Sequence, residues 1–151
     1  MKKKKPDMVV CNNRKARHDY HILQTLDAGI VLQGCEVKSL RDKKASLSGS
    51  YVIISGREVW LIGSHIDEYK FRMSWGAHEP KRKRKLLLHK AEIRRFAEKA
   101  KQKGFTIVPL SIYFRAGKAK VEIAVVQGKK AHDKREDAKQ RDAEREIRKF
   151  S

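Results

Sequence analysis

Between residues 105 and 127 the chain twice runs through a two-residue alternation. Leu110, Ile112 and Phe114 alternate with Ser111 and Tyr113; Val121, Ile123 and Val125 alternate with Glu122 and Ala124. Successive side chains of a strand point to opposite faces, so each run predicts a strand with one buried and one polar face. Arg115-Ala116-Gly117 joins them as an antiparallel hairpin. Residues 51–55 and 58–62 flank Gly56-Arg57, a two-residue loop that opens with glycine, and predict a second hairpin.

The remaining segments follow the same logic. Residues 20–26 read as a strand, turned by Asp27-Ala28-Gly29, after which Ile30-Val31-Leu32 opens another. Val37 to Leu40 fits a strand or a short helix. Residues 73–85, with Gly76, Pro80 and five consecutive bases, read as a loop. Ile93, Phe96, Ala97 and Ala100 fall at i, i+3, i+4 and i+7, the spacing of one helix face, and Gly104 is a helix stop. About six short antiparallel strands, with a long helix inserted before the last pair, predict a mainly β fold. The expected architecture is a six-stranded antiparallel β-barrel resembling an OB fold, which often binds oligonucleotides. The expected organisation is a basic flexible arm over 1–12, the barrel over 13–128, and a basic, disordered tail over 129–151.

Charge selects the partner. The 151 residues hold 37 Lys and Arg against 18 Asp and Glu, a formal charge of +19. The excess is clustered: residues 70–103 hold 13 Lys and Arg against Glu79, Glu92 and Glu98. Such clusters repel themselves unless a polyanion meets them. Nucleic acid is the first candidate, because each neutralised phosphate releases counterions. A solvated basic surface is the plain alternative. An anionic membrane would need an amphipathic helix with exposed large apolar residues, and none stands out. There is no apolar run of bilayer length and no secretory signal, and two cysteines, Cys11 and Cys35, suit a reducing cytoplasm.

No catalytic pattern is present. The six histidines match no triad or metal motif. Cys11, His18, His21 and Cys35 lack the close cysteine pair of common zinc sites. Asp67 and Glu68 are adjacent, so on a strand they would face opposite ways. No glycine-rich phosphate cradle occurs. No enzyme activity, metal or cofactor is expected.

Several ordered blocks then carry a family resemblance. They are Asn13-Arg14-Lys15-Ala16-Arg17-His18-Asp19-Tyr20, Ala28-Gly29-Ile30, Leu32-Gln33-Gly34, Glu36-Val37-Lys38-Ser39-Leu40-Arg41 and Ser50-Tyr51. They continue through His65-Ile66, Pro80 with Arg82, Arg84, Lys85 and Leu86-Leu87-Leu88-His89, then Val108-Pro109-Leu110. The last are Gly128-Lys129-Lys130 and His132-Asp133-Lys134-Arg135. Over roughly residues 10–137 the chain resembles the bacterial tmRNA-binding (SsrA-binding) family.

The resemblance implies an OB-like barrel with outer helices and a non-enzymatic role in trans-translation. It implies binding to the tRNA-like domain of tmRNA, partnership with elongation factor Tu and GTP through alanyl-tmRNA, and action on the stalled ribosome. It implies that Asn13, Asp27, Gly29, Gln33, Glu36, Leu87 and Lys120 face tmRNA, with Arg14, Arg17, Lys38, Arg82, Arg84 and Lys85 as further RNA contacts. Alternatives stay open for several of these. Asn13 suits a 2′-hydroxyl or a local turn cap, and Lys120 a phosphate or plain solvent. Leu87 suits an unstacked base or the core, and Glu36 a nucleobase or ribose or the orientation of a neighbouring lysine. The cationic run Lys81 to Lys85 is read as phosphate-contacting. In the tail, Gly128, Lys129, Lys130, His132, Asp133, Lys134, Arg135, Arg141, Arg145, Ile147, Arg148 and Lys149 would meet the ribosome, turning helical in the empty mRNA channel. Asp27 stands where the family usually has Glu, and Ala77 where Asn is common. The competing reading is a basic ribosomal or ribosome-assembly protein.

Overall fold

The computed structural model describes residues 6–68 and 79–128. Residues 1–5, residues 69–78 with the 73–78 part of the expected loop and Ala77, and the tail 129–151 lie outside the described residues; of the expected ribosome contacts only Gly128 is described.

The fold is mainly β with three helices. In chain order it runs β1 (Met8–Asn12), α1 (Arg14–Asp19), β2 (Tyr20–Ile30), α2 (Gly34–Arg41), β3 (Ala45–Ser46), β4 (Tyr51–Ser55) and β5 (Glu58–Ile62). It continues through β6 (His65–Ile66), β7 (Arg84–Leu87), α3 (Lys90–Ala100), β8 (Phe105–Arg115) and β9 (Lys118–Gly128). The seven-stranded sheet has the order β1-β8-β4-β5-β7-β2-β9, and β9 pairs back onto β8, so the hydrogen bonding runs round in a ring. Every pairing in it is antiparallel. The two-residue strands β3 and β6 form a separate small ladder.

Both expected hairpins are present. Ser55 pairs with Glu58 around Gly56-Arg57, and Arg115 pairs with Lys118. The inside of the ring is the main core, with Ala28, Val59, Leu61, Leu86, Ile112, Val121, Ile123 and Val125 almost wholly buried. Phe96 caps this core from α3 and is 1 % exposed. Burying one such ring contributes about 1.5–3 kcal/mol.

Four details differ from the sequence reading. First, the alternation of β8 does not keep one face. Register shifts between Pro109 and Ser111, so Ile112 and Phe114 point into the main core while Val108 and Leu110 join a second cluster with Ala16, Ala124 and Val126. Proline has no N–H to give the ladder, and a bulge is where a strand accommodates it. Second, the stretch expected as a basic arm is partly ordered, since Met8–Asn12 is strand β1 on β8. Helix α1 then covers the second cluster with Ala16, 5 % exposed. Third, Asp27-Ala28-Gly29 makes no turn; β2 runs unbroken through it, with fully buried Ala28 opposite Val121. Fourth, the basic run is not all loop. Arg84 and Leu86 point inward and Lys85 and Leu87 outward as strand β7, while the ambiguous segment at Val37 is helix α2.

Candidate nucleic-acid interface

Strand β2 lies between β7 and β9 and gathers the first group of expected RNA contacts. Gly29 is opposite Leu87 on one side and Lys120 on the other. Their neighbours Ala28, Leu86 and Val121 fill the core, so Leu87, Gly29 and Lys120 form a row across the outer face. Leu87 is 55 % exposed, which rules out the core reading of this residue. A Cβ on Gly29 would lie 3.3 Å from the Leu87 Cβ. The glycine is there for this close approach and leaves a low strip of backbone between an apolar and a cationic side chain.

Asp27 lies two residues back on the same face, opposite Glu122. Like charges directly opposite on paired strands destabilise. Here two arginines bracket them: Arg115 Nη1 is 3.9 Å from Asp27 Oδ2, and Arg17 Nη2 is 3.4 Å from Glu122 Oε1. The Arg115 guanidinium also lies 5.1 Å over the Tyr113 ring. Burial first, and the adjacent Asp27 second, push the Tyr113 phenol well above its ordinary range. Asp27 is thus part of a charge cluster that organises this face. Tyr113, Arg115 and Glu122 were not among the expected site residues. The only signal for Tyr113 and Glu122 was membership of the outward half of the β8–β9 alternation, and Arg115 was read as part of the loop between them.

The second group centres on Glu36, and it corrects two expectations. Glu36 is 0 % exposed and so is Arg84. Arg84 Nε donates to Glu36 Oε2 at 2.6 Å, and its Nη2 is 2.5 Å from the same oxygen. The same guanidinium donates to the Ser64 carbonyl and hydroxyl, both at 3.1 Å, to the Arg82 carbonyl at 2.9 Å and to the Pro80 carbonyl at 3.0 Å. Arg82 Nη2 donates to Glu36 Oε1 at 2.6 Å, and the Gln33 N–H to the same atom at 2.8 Å. Glu36 and Arg84 are therefore saturated inside the protein and not available to RNA. Strand alternation turns Arg84 inward, and a buried guanidinium requires a buried anion. Burial raises the Glu36 carboxyl, but hydrogen bonds from Arg82 and Gln33 and the charge of Arg84 outweigh it and hold it below the usual range. Burial lowers Arg84, and Glu36 offsets part of that. The pair clamps α2 to the start of β7. Around the clamp, Gln33 at the N-cap of α2 and Lys38 on it are exposed, Arg82 is half-buried, and Lys85 is 3.7 Å from Glu58. Lys83 Nζ sits 5.0 Å over the Trp60 ring.

The third group is α1, where the turn-cap alternative holds for Asn13. Its Oδ1 accepts from the Ala16 N–H at 3.1 Å, and its Nδ2 donates to the Pro109 carbonyl at 2.9 Å and the Leu47 carbonyl at 3.4 Å. At 6 % exposure it is a helix cap and a strut to β8. Arg14 and Arg17 are exposed beside it. Asn13, Glu36 and Arg84 thus position the surface, while Arg17, Asp27, Gly29, Leu87 and Lys120 lie on one connected face. Among the described residues no three His, Cys, Asp or Glu side chains come together to hold a metal ion. No helix among them is long and apolar enough to cross a membrane.

Known proteins resemble this chain in sequence and in fold. The profile of the family described as "SmpB protein" matches residues 10–151. The chain is 51 % identical over 144 residues to an SsrA-binding protein of Desulforudis audaxviator, covering 95 % of this chain and 94 % of that one. It is 56 % identical over 139 residues to an SsrA-binding protein of Acidothermus cellulolyticus, covering 92 % and 87 %. A solved structure described as "tmRNA-SmpB: a journey to the center of the bacterial ribosome" superposes with a TM-score of 0.68 at 50 % identity, covering 80 % of this chain and 85 % of that one. The chain belongs to the SmpB family of SsrA-binding proteins.

Proposed function

We propose that this chain binds tmRNA through its tRNA-like domain and serves trans-translation, bringing tmRNA to ribosomes stalled on truncated messages so that incomplete polypeptides are tagged. The observation that carries the reading is the outward row Leu87, Gly29, Lys120 across β7, β2 and β9. A folded RNA is read by shape, through sugars, phosphates and a few splayed bases. The bare strip at Gly29 admits a sugar-phosphate backbone, Lys120 supplies a phosphate charge, and exposed Leu87 packs against an unstacked base. Asp27 accepts a hydrogen bond from a ribose or base edge, and Arg17 faces phosphate on the same side. Gln33, Lys38, Arg82 and Lys85 extend the surface over α2, held there by the Glu36–Arg84 clamp. Arg14 carries it toward α1.

The same reading takes the ring of strands as a closed barrel of the OB type and the cytoplasm as the place of action. Elongation factor Tu with GTP joins through alanyl-tmRNA. Residues 129–151 enter the mRNA channel of the small subunit, which a message still in place would exclude by volume. That exclusion is a physical basis for sensing a truncated message. The test is peptide tagging in a reconstituted translation system programmed with a message lacking a stop codon. Full-length protein supports tagging, and residues 1–128 alone bind tmRNA without supporting it. Tagging by the truncated chain, or loss of its tmRNA binding, overturns this division of labour.

A further inference from the structure

Ser50-Tyr51, one of the blocks that carry the family resemblance, has no place in the interface above. It lines a cavity of about 290 Å³ between α1, the start of β4 and β8. Ligand pockets run from about 300 to 1,000 Å³, so this one suits a single flat ring system better than an extended cofactor. Its floor is apolar: Ala16 is 5 % and Val108 4 % exposed. Tyr20, packed against the same cluster, forms one wall. Tyr51 stands at the mouth, 46 % exposed, and Lys15 is exposed beside it on α1.

The cavity is pre-formed. One carbonyl, that of Leu47, accepts from Asn13 Nδ2 at 3.4 Å, from Ser50 Oγ at 2.5 Å and from the Ser50 N–H at 3.0 Å. These bonds tie the loop that delivers Tyr51 to the cap of α1. Gly49 makes the delivery possible, since its φ of +74° is a conformation that other residues rarely adopt. The groups fixed this way are satisfied within the protein. What the site offers an incoming molecule is an aromatic face, an apolar floor, a lysine and, on its polar side, Asp19 and Thr106.

That combination is how proteins hold unstacked bases: a ring for stacking and a cation for the neighbouring phosphate. Two charged side chains line the cavity, Lys15 and Asp19; the Asp19 carboxylate has His18 Nδ1 2.9 Å away, and Lys15 is the exposed cation that would meet an anion. We infer that this cavity is a binding pocket for one unstacked nucleobase of RNA, stacked on Tyr51 with its phosphate at Lys15. The pocket lies apart from the Leu87–Gly29–Lys120 row. The inference rests on the RNA-binding reading but uses a surface that reading does not need.

The test is an NMR titration of isotopically labelled full-length protein with AMP, GMP, CMP and UMP in turn, with ribose 5-phosphate as the control. The nucleotides should shift the signals of Gly49, Tyr51 and Thr106, purines most, and ribose 5-phosphate should not. Tyr51→Phe should keep the response, and Tyr51→Ala should weaken nucleotide binding about tenfold, as expected for loss of one base–aromatic stack. Equal shifts from ribose 5-phosphate, or shifts indifferent to Tyr51→Ala, would overturn the inference. Binding of the tRNA-like domain is followed in parallel with Leu87→Asp. Absent nucleotide shifts with intact tRNA-like-domain binding defeat the pocket alone. Nucleotide shifts without tRNA-like-domain binding leave the pocket standing and defeat the tmRNA reading.

Discussion

Replacing Arg84 with methionine isolates the role of the buried clamp. Methionine keeps much of the side-chain length and removes the guanidinium. Glu36, fully buried, then retains only Arg82 and the Gln33 N–H, and the carbonyls of Ser64, Arg82 and Pro80 each lose a donor. Breaking a buried pair by deleting one partner costs about 3–5 kcal/mol, because the remaining charge stays in the interior, here with Arg82 as its one remaining cation. The pair itself is worth less than that, since burying both ions already costs several kcal/mol each. The double variant Glu36→Met with Arg84→Met should therefore recover much of the loss. Urea unfolding followed by tryptophan fluorescence and circular dichroism reads both. With m near 2 kcal/mol per molar for a chain of this size, Arg84→Met should lower the midpoint by about 1.5–2.5 M at unchanged m. A loss below about 1 kcal/mol would refute the reasoning. Such a loss together with a weaker salt dependence of RNA binding would return Arg84 to the phosphate contacts.

The remaining predictions concern the surface, the cap and pH. Lys120→Ala should weaken tmRNA binding and reduce the salt slope by about one ion, read from affinities across a salt series; an unchanged slope places the phosphate elsewhere. Asn13→Ala should cost about 2 kcal/mol in thermal unfolding, through the lost cap and the donor lost to the Pro109 carbonyl, while leaving the RNA affinity of the folded protein intact. The folded carboxyl of Glu36 is held below its unfolded value of 4.5, so its ionised form stabilises the fold fully above pH 4.5. That contribution is lost as pH falls below 4.5 and through the lowered folded value. The stability gap between wild type and Glu36→Gln should be constant near neutrality and close in acid; a gap that widens in acid would reverse the sign of the argument.

The strands that declared themselves in the sequence are those whose neighbours alternate in polarity. β8 and β9 do so; β4 and β5 declared themselves instead as apolar runs around the two-residue glycine loop, and α3 shows its apolar face at helical spacing. What stayed hidden depends on contacts far along the chain. Arg84 is one of five consecutive bases, and nothing local separates it from Arg82 or Lys83. Its burial is set by Glu36, 48 residues away. Gly29 reads as a turn residue because glycine usually is one, whereas here it makes room for Leu87 on a neighbouring strand. Asn13 carries both a capping and a contacting chemistry, and the cap was settled by Pro109 and Leu47 on distant segments. The exposed part of the interface was more legible. Leu87, Gly29 and Lys120 came from the family resemblance and lie in one row, while Tyr113 sat inside a strand pattern and Arg115 in the loop that follows it.

The central claim is that the outer face of β7, β2 and β9 recognises one RNA by shape and that charge alone is insufficient. Its most direct test is binding of purified protein to the tRNA-like domain of tmRNA at near-physiological salt, with ordinary tRNA and an unrelated duplex as competitors. The account predicts a strong preference for the tRNA-like domain that Leu87→Asp abolishes without unfolding the protein. Equal, steeply salt-dependent binding to all three RNAs would contradict it and favour a ribosomal protein acting through charge.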